Sequence, residues 1–222
     1  MTFISTRAIL LFSFTSGLTA IATVLIIYFC LSYVSFGELT SIVVAILFIT
    51  ILYSLLILIY RIFLMFLPLH EGVIKPGSKL EFTYHFYLLN YLIFFNSLTK
   101  THVIPIPLRR LIYQLLGATF GKHSYCSGAI LDPPLTRIGS HSLLGHDCVV
   151  FAHAIESDRL LYHAAIHIGN HVTVGAKAII MPGVTIEDHA IVAAGAVVTK
   201  GTVIGNGELW AGVPAKRIRR LF

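Results

Sequence analysis

Residues 168–204 read IGNHVTVGAKAIIMPGVTIEDHAIVAAGAVVTKGTVI. Every sixth residue is Ile or Val: Ile168, Val174, Ile180, Ile186, Val192, Val198, Ile204. Two places before each stand Ile166, Val172, Ala178, Val184, Ala190, Ala196 and Thr202, all small or β-branched. A helical face repeats near 3.6 residues and a flat strand near 2, so a period of six fits neither. It fits a short strand and a turn, repeated. Three such units close one triangular coil, and stacked coils form a parallel β-helix with the Ile and Val side chains inside. β-branched residues suit those inward places because their χ1 is nearly fixed before folding. Gly169, Asn170, Gly175, Gly183, Asp188 and Gly205 are expected to supply left-handed backbone at the turns.

Upstream, Gly117 opens the coil, and Phe120, Ile138, Leu144 and Val150 keep the same phase. Cys126 and Asp132 fit it poorly, and it fails at Glu156 and Tyr162. Val150 and Ile168 are three hexads apart, so residues 151–165 leave the coil and rejoin it in register. They read as a loop thrown from one corner, a common place for functional residues. Downstream, Trp210-Ala211-Gly212-Val213-Pro214-Ala215-Lys216-Arg217-Ile218-Arg219-Arg220 reads as a basic tail ending the solenoid.

The first half is of another kind. The chain is 56% hydrophobic, with a mean hydropathy of +0.84, too apolar for a soluble domain of this length. No charge falls between Ala8 and Gly37, or between Leu39 and Tyr60. These runs read as two transmembrane helices, from about Ile9 to Tyr33 and from Leu39 to Tyr60, forming a hairpin around Gly37, Glu38 and Leu39. Arg7 precedes the first; Arg61, Lys75 and Lys79 follow the second. The basic flanks place both termini and the coil on the cytoplasmic side. The net charge of +6 then suits an anionic membrane surface or a phosphorylated ligand; no nucleic-acid motif is present. Cys30, Cys126 and Cys148 show no paired spacing and read as reduced thiols.

The expected organisation is a hairpin over 1–72, a helical linker over 73–116, the coil over 117–210 and the tail over 211–222. In the linker, Gly72 to Lys79 reads as a break. Leu88, Leu89, Leu92, Phe95 and Leu98 suggest one amphipathic helix, and Leu108, Leu111, Ile112, Leu115 and Leu116 another. These either lie in the membrane interface or cover the open end of the coil.

The hexads, the histidine-bearing loop before them and the ending WAGVPAKRIRRL together resemble the hexapeptide-repeat acyltransferases, above all the galactoside, maltose and xenobiotic acetyltransferases. The resemblance covers Gly117 to Leu221. With the apolar half it looks like the membrane-attached sugar O-acetyltransferases of surface-polysaccharide pathways. It implies a left-handed β-helix, a homotrimer, and acetyl-CoA as co-substrate in clefts between neighbouring copies. By motif it makes His153 the catalytic histidine and places Ala176, Ala194, Thr199 and Lys200 along the pantetheine arm. Lys216 and Arg219 fall near the CoA phosphates.

The chemistry agrees with such a role. Acetyl transfer from a thioester to a hydroxyl needs the hydroxyl deprotonated as it attacks, and a neutral imidazole is suited to that. Glu156, three residues after His153, is the candidate to orient the ring, and the Gly175 N–H the candidate for the oxyanion. His146, His163 and His167 are alternative bases. His171 and His189 sit at hexad turns and are expected to face solvent. Two other readings stand beside this one. His141 and His146, with a third histidine, resemble the zinc ligands of γ-class carbonic anhydrases, although no metal is expected here. The third reading is a trimeric membrane scaffold without catalysis. The expectation is a membrane-anchored O-acetyltransferase at the cytoplasmic face of a bacterial inner membrane, acting on a sugar hydroxyl of a lipid-linked glycan.

Overall fold

The computed structural model describes residues 4–33, 36–101, 104–155 and 160–222. Helix α1 spans Thr6–Tyr33 and α2 spans Thr40–Phe66, joined through a short 3-10 turn at Gly37–Leu39. At 1.5 Å per residue each is about 40 Å long, more than a hydrocarbon layer of about 30 Å. Both are long and apolar enough to cross a membrane. Their surfaces agree: Leu10, Phe14, Leu25, Ile46 and Ile49 all point outward, more than half exposed. Thr19 and Thr23 lie buried in α1 and bond back to the carbonyls four residues earlier, so these two hydroxyls are satisfied within the helix.

The hexads form a three-faced parallel β-helix. The first face holds Thr119–Phe120, Thr136–Ile138, Ile166–Ile168, Thr185–Ile186 and Val203–Ile204. The second holds Tyr125–Cys126, Leu143–Leu144, Thr173–Val174, Ile191–Val192 and Glu208–Gly212; the third holds Ala129–Ile130, Val149–Val150, Ile179–Ile180 and Val197–Val198. All seven phase residues from Ile168 to Ile204 point inward and are at most 3% exposed. Each stacks on its copy in the next coil, as Ile138, Ile168, Ile186 and Ile204 do down the first face. Burying each such side chain contributes about 1.5–3 kcal/mol.

The turns differ from expectation. Outside the glycines, the left-handed backbone falls on His123, His141, Asp147, His171, Lys177 and His189, with φ of 55–58°. Of the predicted residues only Gly183 takes it. Gly169 and Gly175 serve close approach instead: a Cβ on Gly175 would sit 2.3 Å from the Ala194 nitrogen one coil away. The histidines at the first corner are exposed, and their rings stack as a ladder at 5.1, 4.9 and 4.8 Å from His123 to His189.

The linker is built onto the coil. Ser78 caps α3 (Lys79–Asn90): its hydroxyl accepts from the Glu81 N–H, and the Glu81 carboxylate accepts from the Gly77 N–H. Of the expected apolar face Phe95 is fully buried, but Leu88, Leu89 and Leu98 are only half-buried. Tyr84, Tyr87, Tyr91 and Phe95 are buried, while Leu92 is 49% exposed. The tyrosines are preferred because their hydroxyls reach coil carbonyls: Tyr87 donates to Leu131 O at 2.8 Å and Tyr91 to Ile130 O at 2.6 Å. After a π-helical turn and the short α4 (Asn96–Lys100), α5 (Ile106–Leu115) lies on the first coil. Tyr113 enters the coil core and its hydroxyl donates to Gly128 O. Leu108, Leu111 and Leu115 form an exposed apolar strip on the other side. The helix thus covers the coil's end and still presents an apolar face.

Two expectations merge into one element. The break after α2 contains a strand, Gly72–Ile74, and the loop over 151–165 contains two, His153–Ile155 and Leu161–His163. Together they make a three-stranded antiparallel sheet with Leu161–His163 in the centre. The chain leaving α2 is therefore paired directly to the arm that carries His153. The basic tail is also ordered: Ala215–Arg220 folds back on Glu208–Gly212 as a hairpin closing the second face.

Candidate active site

His153 begins the arm, three residues after Val150 on the third face. Asp132 lies beneath it, because of an irregularity one coil earlier. From Cys126 to Ile130 the inward positions are four residues apart, and from Ile130 to Ile138 eight. The two sum to twelve, so register returns, and the surplus is spent on a 3-10 turn at Pro133–Leu135. Ile130 pairs with Val150, so Asp132 and Ala152 occupy the same corner of neighbouring coils.

The Asp132 carboxylate is 1% exposed. Its Oδ2 accepts from the Ala152 N–H at 2.8 Å and from His153 Nδ1–H at 2.7 Å. Two donors on one oxygen offset the cost of burying the charge. With Nδ1 as donor, Nε2 is the basic nitrogen, and the side chain is 26% exposed. Burial by itself lowers the histidine's pKa; the hydrogen bond and charge of Asp132 outweigh it, and the pKa lies above the ordinary value. A buried carboxylate thus fixes the tautomer and supports the imidazolium that would form on taking a proton.

The alternative bases are placed differently. His163 pairs with His153 across the arm and is 1% exposed. Its Nδ1 lies 3.2 Å from His70 O, and its Nε2 is buried without a partner among the described residues. Burial lowers its pKa, and the charge of His153 adds to this against Asp132 and the His70 carbonyl. The Tyr84 ring packs against both imidazoles, at 6.0 Å from His153 and 5.0 Å from His163. His167 is exposed on the first face, and exposed His146 pairs with exposed Asp147 at 3.4 Å. Glu156 lies outside the described residues; the carboxylate that holds His153 is Asp132. The sequence carried one signal for it: an acid two residues past Ile130, in register with the residue beside His153.

The cofactor candidates divide between two corners. Thr199 and Lys200 follow Val197–Val198 and share the corner of the arm, where Lys200 Nζ lies 3.6 Å from the Tyr162 ring centroid. Ala176 and Ala194 are exposed at the preceding corner, stacked through Gly195 N–H to Ala176 O. Exposed Lys216 faces Ala211 across the terminal hairpin, next to Ala193; Arg219 faces Leu209. Gly175 is not free to serve an oxyanion: its N–H donates to Val192 O at 2.7 Å. Its role is to let two coils approach.

The donors of the zinc pattern stand apart. His141 precedes Leu143–Leu144 and His146 follows it, so they stand at opposite ends of one face. His141 belongs to the ring ladder. Among the described residues no three histidine, cysteine or acidic side chains come together as a metal site. Within one chain these residues do not fit a zinc ion.

Such a three-faced coil, with a histidine arm at one corner, defines a repeat protein of the parallel β-helix class. Residues 165–200 match the family model of the bacterial transferase hexapeptide (six repeats). The chain is similar to galactoside O-acetyltransferase from Escherichia coli (strain K12), 39% identical over 98 residues, covering 41% of this chain and 47% of that protein. It is similar to mitochondrial gamma carbonic anhydrase 2 from Arabidopsis thaliana, 37% identical over 95 residues, covering 43% of this chain and 28% of that one. The chain therefore spans about half or less of the length of these relatives. Among solved structures, a galactoside acetyltransferase in complex with coenzyme A superposes with a TM-score of 0.49 at 23% identity, over 61% of this chain and 81% of that one.

Proposed function

We propose that this protein is a membrane-anchored O-acetyltransferase that uses acetyl-CoA. The observation carrying this reading is the 2.7 Å contact between buried Asp132 and His153 Nδ1. His153 Nε2 takes the proton of an acceptor hydroxyl as its oxygen attacks the thioester carbonyl. The C–S bond breaks, the acetyl group passes to oxygen, and the proton goes to the departing CoA sulfur. The exposed corner that presents Ala176, Ala194 and Lys216, and the arm's corner with Thr199 and Lys200, lie a full face apart on one chain. A cleft between two copies would bring such surfaces together, which supports a homotrimer with acetyl-CoA between subunits.

The acceptor is a sugar hydroxyl on a lipid-linked glycan at the cytoplasmic face of a bacterial inner membrane. Two helices able to cross a bilayer support this, as does the strand Gly72–Ile74 that ties them to the arm. Holding the site beside a bilayer raises the effective concentration of a membrane-bound acceptor. The test compares acetyl-CoA turnover, read as free thiol, by the wild type and His153→Ala in membranes of the producing strain. Mass spectrometry then follows the glycans. Turnover lost in the variant, with loss of acetyl mass from glycans when the gene is removed, supports the proposal; equal turnover ends it.

A second reading rests on the likeness to gamma carbonic anhydrase 2. CO2 hydration by zinc-loaded protein, lost on His141→Ala, would favour it.

A further inference from the structure

A groove of about 440 Å³ runs between the end of α2 and the start of the coil. Arg61, Ile62 and Met65 of α2 line one side, with Leu69 beyond them; Gly117 and Pro134 of the coil line the other. The volume lies within the range of small-molecule sites. Among the described residues the Arg61 guanidinium has no hydrogen bond or ion pair, and no acidic side chain lines the groove. Its guanidinium lies against Gly117, where a Cβ would come within 3.3 Å of it. A long arginine is thus seated in a concave site and faces no counter-charge there.

The walls choose among anions. Ile62 is 44% exposed and Met65 70%, and they continue the outward apolar surface of α2. A free inorganic anion would gain nothing from them, whereas an amphiphile places its charge on Arg61 and its chains along them. Arg61 stands at the end of the uncharged run from Leu39 to Tyr60, where lipid phosphates lie once α2 spans a bilayer. We infer that this groove seats a phosphate-bearing membrane lipid, its phosphate on Arg61 and its chains along Ile62 and Met65. The groove also touches both clamps of the histidine pair. Pro134 is two residues past Asp132, and Leu69 precedes His70, whose carbonyl faces His163. The inference rests on α2 spanning the membrane and not on acetyl transfer.

The test is native mass spectrometry of the full chain released from detergent, titrated separately with phosphatidylglycerol, diacylglycerol and inorganic phosphate. The wild type is expected to retain one phosphatidylglycerol per chain and neither of the other probes. Arg61→Gln should weaken that binding about tenfold or more, the size of a charged hydrogen bond. Arg61→Lys should keep most of it, and Lys75→Gln, outside the groove, should leave it unchanged. Equal retention by Arg61→Gln overturns the site, and so does equal weakening by Lys75→Gln. Diacylglycerol held as tightly overturns the phosphate contact. Inorganic phosphate held as tightly overturns the lipid. Circular dichroism of each variant shows that a loss of binding is not a loss of fold.

Discussion

Replacing Asp132 by Asn keeps the volume of the side chain and removes its charge. Oδ2 now serves two donors, the Ala152 N–H at 2.8 Å and His153 Nδ1–H at 2.7 Å. The amide oxygen can take the place of Oδ2 and keep both donors, so both contacts remain but become neutral. A hydrogen bond to a charged group is worth about 1.5–3 kcal/mol against about 0.5–1.5 for a neutral pair, so kcat/KM should fall about tenfold. General-base catalysis as a whole contributes about 10²–10⁴-fold, which bounds the loss on His153→Ala. The pH profile separates a positioning role from a merely structural one. Asp132 raises the His153 pKa against burial. In the wild type the acid limb of kcat/KM should therefore lie above the ordinary histidine value of about 6.5. In the variant burial remains and the carboxylate is gone, so the limb should move to lower pH. Thiol release from acetyl-CoA, followed from pH 5 to 9, measures both effects. A variant within twofold of the wild type, with its acid limb unmoved, refutes the dyad.

Three further outcomes follow from the packing. Gly175→Ala would push a methyl to 2.3 Å from the Ala194 nitrogen; the coils must part, and the thermal transition should drop by several degrees. Tyr91→Phe removes the hydroxyl bonded to Ile130 O and should cost about 1–3 kcal/mol in denaturant unfolding, because the buried carbonyl loses its donor. The two paired histidines should act oppositely on stability. His163 has a lowered folded pKa, so its contribution is full above the unfolded value of about 6.5 and is lost as pH falls through the folded one. His153 has a raised folded pKa; its contribution is full below about 6.5 and is lost as pH rises through the folded value. In a His153→Gln background, melting from pH 7 to 5 should show destabilisation by acid, and adding His163→Gln should reduce it, leaving the part due to buried His85, whose pKa is also lowered.

The amino-acid sequence alone specifies the coil, because a hexad repeat is local. Each Ile or Val needs only its own strand and its copy one coil away, and a period of six permits that stacking and little else. It also determined the two long apolar helices, and it pointed to His153 by motif. What holds that histidine emerges only from the folded coil. Glu156 was nearer in the chain, but Asp132, 21 residues upstream, reaches it because a shortened and then lengthened turn puts both at one corner. Nor could periodicity show that Gly72–Ile74 joins the arm, or that Tyr84, Tyr87 and Tyr91 outrank the leucines of α3. Strand pairing and buried hydroxyls are settled by partners distant in sequence, and those partners meet only when the helices dock on the coil.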